Sequence, residues 1–122
     1  MDSREGGLLR WQWSLYPEGH HDRRNLLLHA LSNPLFLLGS IAVAASTFGG
    51  GWLGLVGLAA MATAMAAQGR GHKLERTAPV PFRSAADLLV RFFVEQWVTF
   101  PRFVASGRFA TAWREGVPSP AR

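Results

Sequence analysis

Residues 34–67 read PLFLLGSIAVAASTFGGGWLGLVGLAAMATAMAA, and this stretch decides the fold. It consists of two apolar runs, 34–48 and 52–67, on either side of three consecutive glycines. Glycine clusters interrupt helices, and an apolar helix needs about 20 residues to cross a bilayer. Because apolar residues also precede Pro34, the sequence predicts two apolar helices, at about 25–48 and 52–68, that form a hairpin. Small residues on the second helix should let its partner approach closely; they are Gly54, Gly57, Ala60 and Ala67.

The charged residues lie outside this stretch and give the 122-residue chain a net charge of +5. Arg23 and Arg24 precede the first apolar helix, and Arg70, Lys73 and Arg76 follow the second, whereas the glycine tip carries no charge. Positive residues mark the cytoplasmic side of membrane proteins. We therefore expect an integral membrane protein with both termini in the cytoplasm, and the arginine- and alanine-rich usage indicates a bacterial inner membrane. The alternative is a hairpin buried in a soluble bundle, although the chain has little else with which to cover it.

The flanking segments predict an all-α fold, a single domain over 1–122. The segment before Pro17 is rich in tryptophan, which favours the membrane interface, and Asp22 is a candidate N-cap for the first long helix. Ser84 to Asp87 has the pattern of a capping box, so we predict a third, amphipathic helix at about 84–105. Asp87, Arg91 and Glu95 should form a charged stripe on it. This helix either lies in the membrane interface or packs on the hairpin ends, and 115–122 should be a disordered tail.

The composition also excludes several kinds of site. The chain has no cysteine, which excludes disulfides and thiolate ligands, so any metal must be bound by nitrogen and oxygen atoms. No DNA-binding motif and no long basic run is present, and we expect no nucleic-acid partner. No signal-peptide pattern is apparent at the N-terminus.

Four histidines should gather at one membrane face. His20, His21 and His29 lie at the start of the first apolar helix, and His72 lies just after the second. Because a hairpin returns the chain to the face where it started, all four imidazoles share that face, and we predict that they bind a metal ion. His21 and His29 lie on one helix face if the helix includes both; a helix that begins at Asp22 instead leaves His20 and His21 in a loop.

Three other interpretations of these histidines remain open. Each histidine can be an ordinary polar residue at a membrane interface. Two histidines that face each other across helices can also bind haem, which would make the chain an electron-transfer protein. Finally, the small-residue hairpin and the aromatic third helix can serve as interaction surfaces of a non-catalytic membrane adaptor or assembly protein.

The spacing of the histidines resembles that of a known family. Tyr16, His20-His21, Asn25, His29 and Pro34 form the pattern Y-x3-HH-x3-N-x3-H-x4-P, and a second cluster contains Gln68, Gly71, His72 and Glu75. This pattern resembles the Mpo-one-like family, formerly a domain of unknown function. Its fungal member is a membrane Fe(II)-dependent dioxygenase that shortens 2-hydroxy fatty acids by one carbon in α-oxidation.

The resemblance implies an enzyme, a cofactor and roles for particular residues. Fe(II) would be bound by ligands drawn from His20, His21, His29 and His72. Side chains placed to hydrogen-bond these ligands would be Tyr16, Asn25, Gln68 and Glu75. The substrates would be O₂ and a 2-hydroxy fatty acid whose tail stays in the lipid and whose carboxylate binds Arg24 or Arg70. Independently of the resemblance, a two-span hairpin often needs partners to bury its polar groups, so we also expect a homo-oligomer.

Overall fold

The computed structural model describes residues 4–116, and these are helical with no β-strand. The predicted all-α fold class is confirmed. The α-helices are α1 (Gly7–Leu15), α2 (Arg23–Ala45), α3 (Gly51–His72), α4 (Ala85–Val94), α5 (Phe100–Ala105) and α6 (Arg108–Glu115). Short 3₁₀ turns occupy Tyr16–Gly19 and Ser46–Phe48, and a π-helical turn, Glu95–Thr99, joins α4 to α5. The sequence did not predict α1 or α6. Of the predicted disordered tail, 115–122, Glu115 is instead the last residue of α6, and 117–122 lie outside the described residues.

The long helices α2 and α3 form the predicted hairpin and touch through their glycines. A Cβ atom added at Gly39 would lie 2.8 Å from the Gly57 carbonyl oxygen, and one at Gly57 would lie 2.9 Å from the Val43 side chain. Both distances are too short for a side chain, so these positions allow the backbones to approach. At the tip, Gly49 and Gly50 have φ angles of 128° and 75°, which residues with a Cβ rarely adopt.

Both hairpin helices are long and apolar enough to cross a membrane, over Arg23–Phe48 and Gly51–His72. Their most apolar 18-residue windows are only 33% and 17% buried. Leu31 and Leu38 are each 67% exposed, and Phe48 at the tip is 93% exposed. A core helix of a soluble bundle would be mostly buried, so this hairpin presents its apolar side chains outward.

The third helix, which comprises α4, the π-turn and α5, packs against the first half of α2 and runs antiparallel to it. Along α2, His29 lies next to Phe100 with ring centroids 5.9 Å apart, Asn33 donates to Gln96, and Phe36 packs on Phe92. The predicted N-caps hold: the Asp22 carboxylate accepts from the Arg24 N–H, and the Ser84 hydroxyl accepts from the Asp87 N–H.

The charged stripe predicted on the third helix is confirmed in part: Arg91 Nη1 lies 3.6 Å from Asp87 Oδ2, but Arg91 and Glu95 face inward. Arg91 is 8% and Glu95 is 9% exposed. Helix α1 and the residues before it contribute to this burial, because α1 lies beside α4, with Arg4 paired to Asp87 and Gln12 donating to the Arg91 carbonyl. A small apolar core of Tyr16, Leu26, Phe100 and Phe103 fixes the base of the hairpin against α5.

Candidate metal centre

Four side chains from four separate segments converge at the base of the hairpin. They are His20 in the turn before α2, His29 in α2, His72 at the end of α3 and Glu95 at the start of the π-turn. One ligand atom from each of them lies within 4.8 Å of all the others. We call these four residues the His₃Glu group. His20, His29 and Glu95 are buried, and His72 is partly buried.

The closest atoms of the group are those that usually bind metals. His20 Nε2 lies 3.3 Å from His29 Nε2. The Glu95 Oε2 atom lies 3.6 Å from His20 Nε2 and 3.3 Å from His29 Nε2. Ligand atoms about 2.1 Å from a shared ion lie about 3.0 to 3.4 Å from one another in octahedral or tetrahedral geometry. These three atoms therefore already have nearly the spacing of metal ligands.

Backbone contacts fix which imidazole nitrogens face the group. His20 Nδ1 donates to the Tyr16 carbonyl oxygen at 2.7 Å, and His29 Nδ1 donates to the Asn25 carbonyl oxygen at 3.0 Å. Because a carbonyl only accepts, both Nδ1 atoms carry the hydrogen, and in a neutral ring Nε2 bears a lone pair. Two lone pairs and a carboxylate oxygen thus point at one another. A proton satisfies two of these atoms at a time, whereas a metal cation binds all of them.

Burial and neighbouring charges set the protonation of His20, Tyr16 and Glu95. Burial lowers the pKa of His20. Burial raises the pKa of Tyr16, and the adjacent Glu95 charge raises it further. Burial also works to raise the pKa of Glu95, but a hydrogen bond from His20 or His29, when its Nε2 atom is protonated, outweighs burial and keeps that pKa well below its ordinary value. Tyr16 is therefore a phenol that donates to the ionised Glu95 Oε2, at 2.8 Å.

A second carboxylate, Glu75, holds the turn that carries His20. Its Oε1 atom accepts from the backbone N–H groups of His21 and Asp22, both at 2.9 Å, and from Asn25 Nδ2 at 2.8 Å. Glu75 is 1% exposed, so these contacts are shielded from water. Of the residues predicted to hydrogen-bond the ligands, Glu75 and Asn25 thus contact the ligand-bearing turn, and Tyr16 contacts Glu95 directly.

The structure leaves His21 out of the His₃Glu group. Helix α2 begins at Arg23, so His21 belongs to the turn, and its backbone N–H points inward to Glu75. Its side chain is therefore turned outward and exposed. Gln68 also lies apart from the ligand atoms: its amide pairs with Gln96 and Ser32 in the hairpin interior.

His72 differs from the other two histidines of the group. Its Nδ1 atom is buried and has no hydrogen-bond partner among the described residues. A buried polar atom without a partner costs about 1 to 3 kcal/mol. The donor set is thus three imidazoles, one of them with an unsatisfied nitrogen, and one carboxylate. Imidazole and carboxylate ligands suit divalent iron, manganese and zinc, so the residues present fit the predicted metal.

A cavity of about 440 Å³ opens onto the group. Tyr16, His20, His72 and Glu95 form one end of its lining. The remaining lining is mainly apolar and comes from α1, α3, the linker after α3 and α4; it includes Trp11, Leu15, Met65, Val80, Phe82, Leu88 and Phe92. Its volume lies within the range of about 300 to 1,000 Å³ that is usual for small-molecule sites.

Neither arginine predicted to bind the substrate carboxylate lines this cavity. Arg24 pairs with Asp22 at 2.8 Å, and Arg70 is exposed on α3. The lining cations are instead Lys73 and Arg91. The Arg91 guanidinium donates to the carbonyls of Val80 and Pro81, which fastens the linker to α4. Among the described residues, no hydrogen bond or ion pair engages the side-chain ammonium of Lys73, the residue that follows His72.

Sequence reasoning missed Glu95 as a member of the group. Its i, i+4 spacing from Arg91 predicts only that it belongs to a charged stripe. The neighbouring sequence indicates burial instead. Residues 92–100 read FFVEQWVTF and place Glu95 and Gln96 within an aromatic, apolar stretch. A carboxylate there is costly unless it is paired. Comparison of this chain with protein-family models, curated proteins and solved structures gives no match.

Proposed function

We propose that this chain is a membrane-bound, metal-dependent dioxygenase that shortens 2-hydroxy fatty acids by one carbon. The observation that carries the proposal is the His₃Glu group, in which His20, His29, His72 and Glu95 present converging ligand atoms. The activity itself comes from the resemblance of the histidine spacing to the Mpo-one-like family. The group and the cavity beside it would serve as the metal site and the substrate site of such a reaction.

Fe(II) is the proposed cofactor, and it would supply the one-electron and O₂ chemistry that side chains lack. Three neutral imidazoles and one carboxylate would leave a divalent ion with a net charge of +1. That surplus favours an anionic substrate nearby. Tyr16 keeps Glu95 Oε2 directed at the imidazoles, and Glu75 keeps the His20 turn in place.

The cavity supports a substrate with a carboxylate head and an apolar tail. Its lining contains one carboxylate, Glu95, and two cations, Lys73 and Arg91. With Arg91 engaged by the linker carbonyls, Lys73 is the cation that would bind a carboxylate beside His72. The apolar walls beyond would receive the acyl chain and exclude water. The net reaction balances without a reductant: one 2-hydroxy acid and one O₂ give the shorter acid, CO₂ and water.

A membrane setting fits the same interpretation. The outward apolar faces of α2 and α3 would contact lipid, with both chain ends on the cytoplasmic side of a bacterial inner membrane. A fatty acid would then reach the His₃Glu group from the bilayer without crossing bulk water.

Metal analysis of detergent-purified protein tests the proposal, and His21 provides a matched control. After anaerobic loading with Fe(II), we expect about one iron per chain in the wild type and in His21→Ala, and much less in His29→Ala and His72→Ala. Oxygen uptake that requires a 2-hydroxy fatty acid should follow the iron content. A wild type that takes up no iron, or a His29→Ala variant that retains both iron and activity, would refute it.

The geometry disfavours haem. A bis-histidine haem requires two imidazole nitrogens about 4 Å apart with a macrocycle between them. Here His20 Nε2 and His29 Nε2 are 3.3 Å apart, and Glu95 occupies the same space. The adaptor interpretation predicts that the histidine substitutions are harmless, so the same variants decide between it and the enzyme.

A further inference from the structure

The π-turn contains a carbonyl that its own helix does not satisfy. The Phe100 N–H donates to the Glu95 carbonyl, five residues back, instead of to the Gln96 carbonyl. The next residue, Pro101, has no N–H to offer. The Gln96 carbonyl oxygen therefore needs a donor from elsewhere, and Asn33 Nδ2 of α2 supplies it at 2.9 Å.

Asn33 acts within a buried amide network that joins three helices. Its Nδ2 atom also lies 3.0 Å from Gln96 Oε1. The amides of Gln96 and Gln68 pair reciprocally, at 2.7 and 2.8 Å, and Gln68 also donates to Ser32 at 2.9 Å. Each of these side chains is at most 6% exposed. Buried polar groups among apolar helices destabilise the fold unless they are paired, and here the pairing converges on the π-turn.

The π-turn determines the direction in which Glu95 points. A π-turn inserts one extra residue into an α-helix, and each residue of an α-helix turns the chain by about 100°. If the turn reverted to α-helix while Phe100 and Phe103 stayed in the core, Glu95 would rotate by about that angle. Its carboxylate would then leave His20, His29 and the Tyr16 hydroxyl.

We propose that Asn33 is a positioning residue for Glu95: by donating to the Gln96 carbonyl it holds the π-turn that directs the carboxylate into the His₃Glu group. The link to catalysis rests on the proposed function, whereas the direction of Glu95 does not.

Three variants test whether the hydrogen bond from Asn33 to the Gln96 carbonyl directs Glu95. Asn33→Leu removes the donor and keeps the branched shape and the number of side-chain heavy atoms. Asn33→Leu combined with Pro101→Ala returns a backbone N–H five residues after Gln96, where a π-turn can use it. Ser32→Ala is the matched control, because it deletes a hydrogen bond of the same network without touching the Gln96 carbonyl. Circular dichroism and size-exclusion profiles in detergent verify that each variant is folded.

The first measurement needs no metal, because Tyr16 is the only tyrosine of the chain. The tyrosine Fermi doublet in ultraviolet resonance Raman spectra reports whether the phenol donates strongly to a carboxylate. We expect the strong-donor signature in wild type and Ser32→Ala, its loss in Asn33→Leu and its return in the double variant. Retention of the signature in Asn33→Leu, its loss in Ser32→Ala, or no return in the double variant would overturn the proposal.

The second measurement is the affinity for Co(II), read from visible absorption during chelator competition. We expect Asn33→Leu to bind Co(II) about 10- to 100-fold more weakly, the range typical of changes around metal ligands, and the double variant to recover most of the loss. Equal affinity in Asn33→Leu and wild type would overturn the positioning role. If the wild type binds no Co(II), the proposed function fails, and the Raman comparison still decides the direction of Glu95.

Discussion

At the scale of single residues, Glu95 and Lys73 set the charge at the base of the hairpin. Three imidazoles alone would be a neutral donor set, and Glu95 adds the anionic oxygen that lies 3.3 Å from His29 Nε2. Lys73 adds a cation on the same cavity wall, one residue after His72. A carboxylate head placed between an iron-loaded His₃Glu group and this ammonium would meet positive charge on two sides.

Replacement of Lys73 tests this arrangement of charge. We expect Lys73→Ala to weaken binding of a long-chain fatty acid about 5- to 10-fold, or about 1 to 1.4 kcal/mol, because the carboxylate loses a charged donor. A dibrominated fatty acid serves as the probe, since it quenches the fluorescence of Trp11 in the cavity wall, and a Trp11→Phe variant identifies that contribution.

Arg70→Ala is the matched control, because it removes the same charge three residues earlier, in the last turn of α3, outside the cavity. It should leave the affinity for the brominated acid unchanged, and Lys73→Arg should retain most of it. Equal weakening by Arg70→Ala and Lys73→Ala would show a general effect of surface charge and would remove Lys73 from the substrate site.

At the scale of elements, the approach of α3 to α2 near the metal centre depends on a glycine. A Cβ atom at Gly71 would collide with the Asn25 Oδ1 atom, whereas one at Gly69, two residues earlier, meets nothing within 4 Å. Asn25 in turn donates to Glu75, which holds the turn of His20. Gly71 therefore connects the spacing of the hairpin to the position of a proposed ligand.

Alanine at these two glycines should have opposite effects. Alanine is more favourable than glycine in a helix by about 1 kcal/mol, so Gly69→Ala should raise or maintain the melting temperature. Gly71→Ala should lower it and weaken Co(II) binding by about 10-fold or more, because Asn25 must move. Thermal unfolding in detergent and chelator competition measure both; a Gly71→Ala protein that matches Gly69→Ala would contradict the proposed coupling.

At the scale of the whole molecule, the hairpin and the convergence of three histidines could be predicted from the sequence, because both follow from local signals. Charge-free runs and a glycine triplet specify the hairpin, and its closure brings His20, His29 and His72 to one end. Local signals were not enough to predict that Glu95 joins the histidines. Its burial depends on the packing of α1 over the third helix and on a π-turn stabilised by Asn33. Whether the His21 side chain joins the group depends on whether α2 begins two residues earlier or later. Periodicity does not fix helix ends that closely.

The outward apolar faces of α2 and α3 lead to a prediction about topology. If the hairpin spans a bilayer, its tip and its base must lie on opposite sides, because the helices have 23 and 22 residues and a residue rises about 1.5 Å. The chain has no cysteine, so single cysteines can report each end: Thr47→Cys marks the tip and Arg76→Cys marks the base, both at exposed positions. In sealed inside-out vesicles of the bacterial inner membrane, a membrane-impermeant maleimide should label Arg76→Cys at once and Thr47→Cys only after detergent is added. Immediate labelling at both positions would mean that the hairpin does not cross, and that its apolar faces are covered by another protein or by a second copy of the chain.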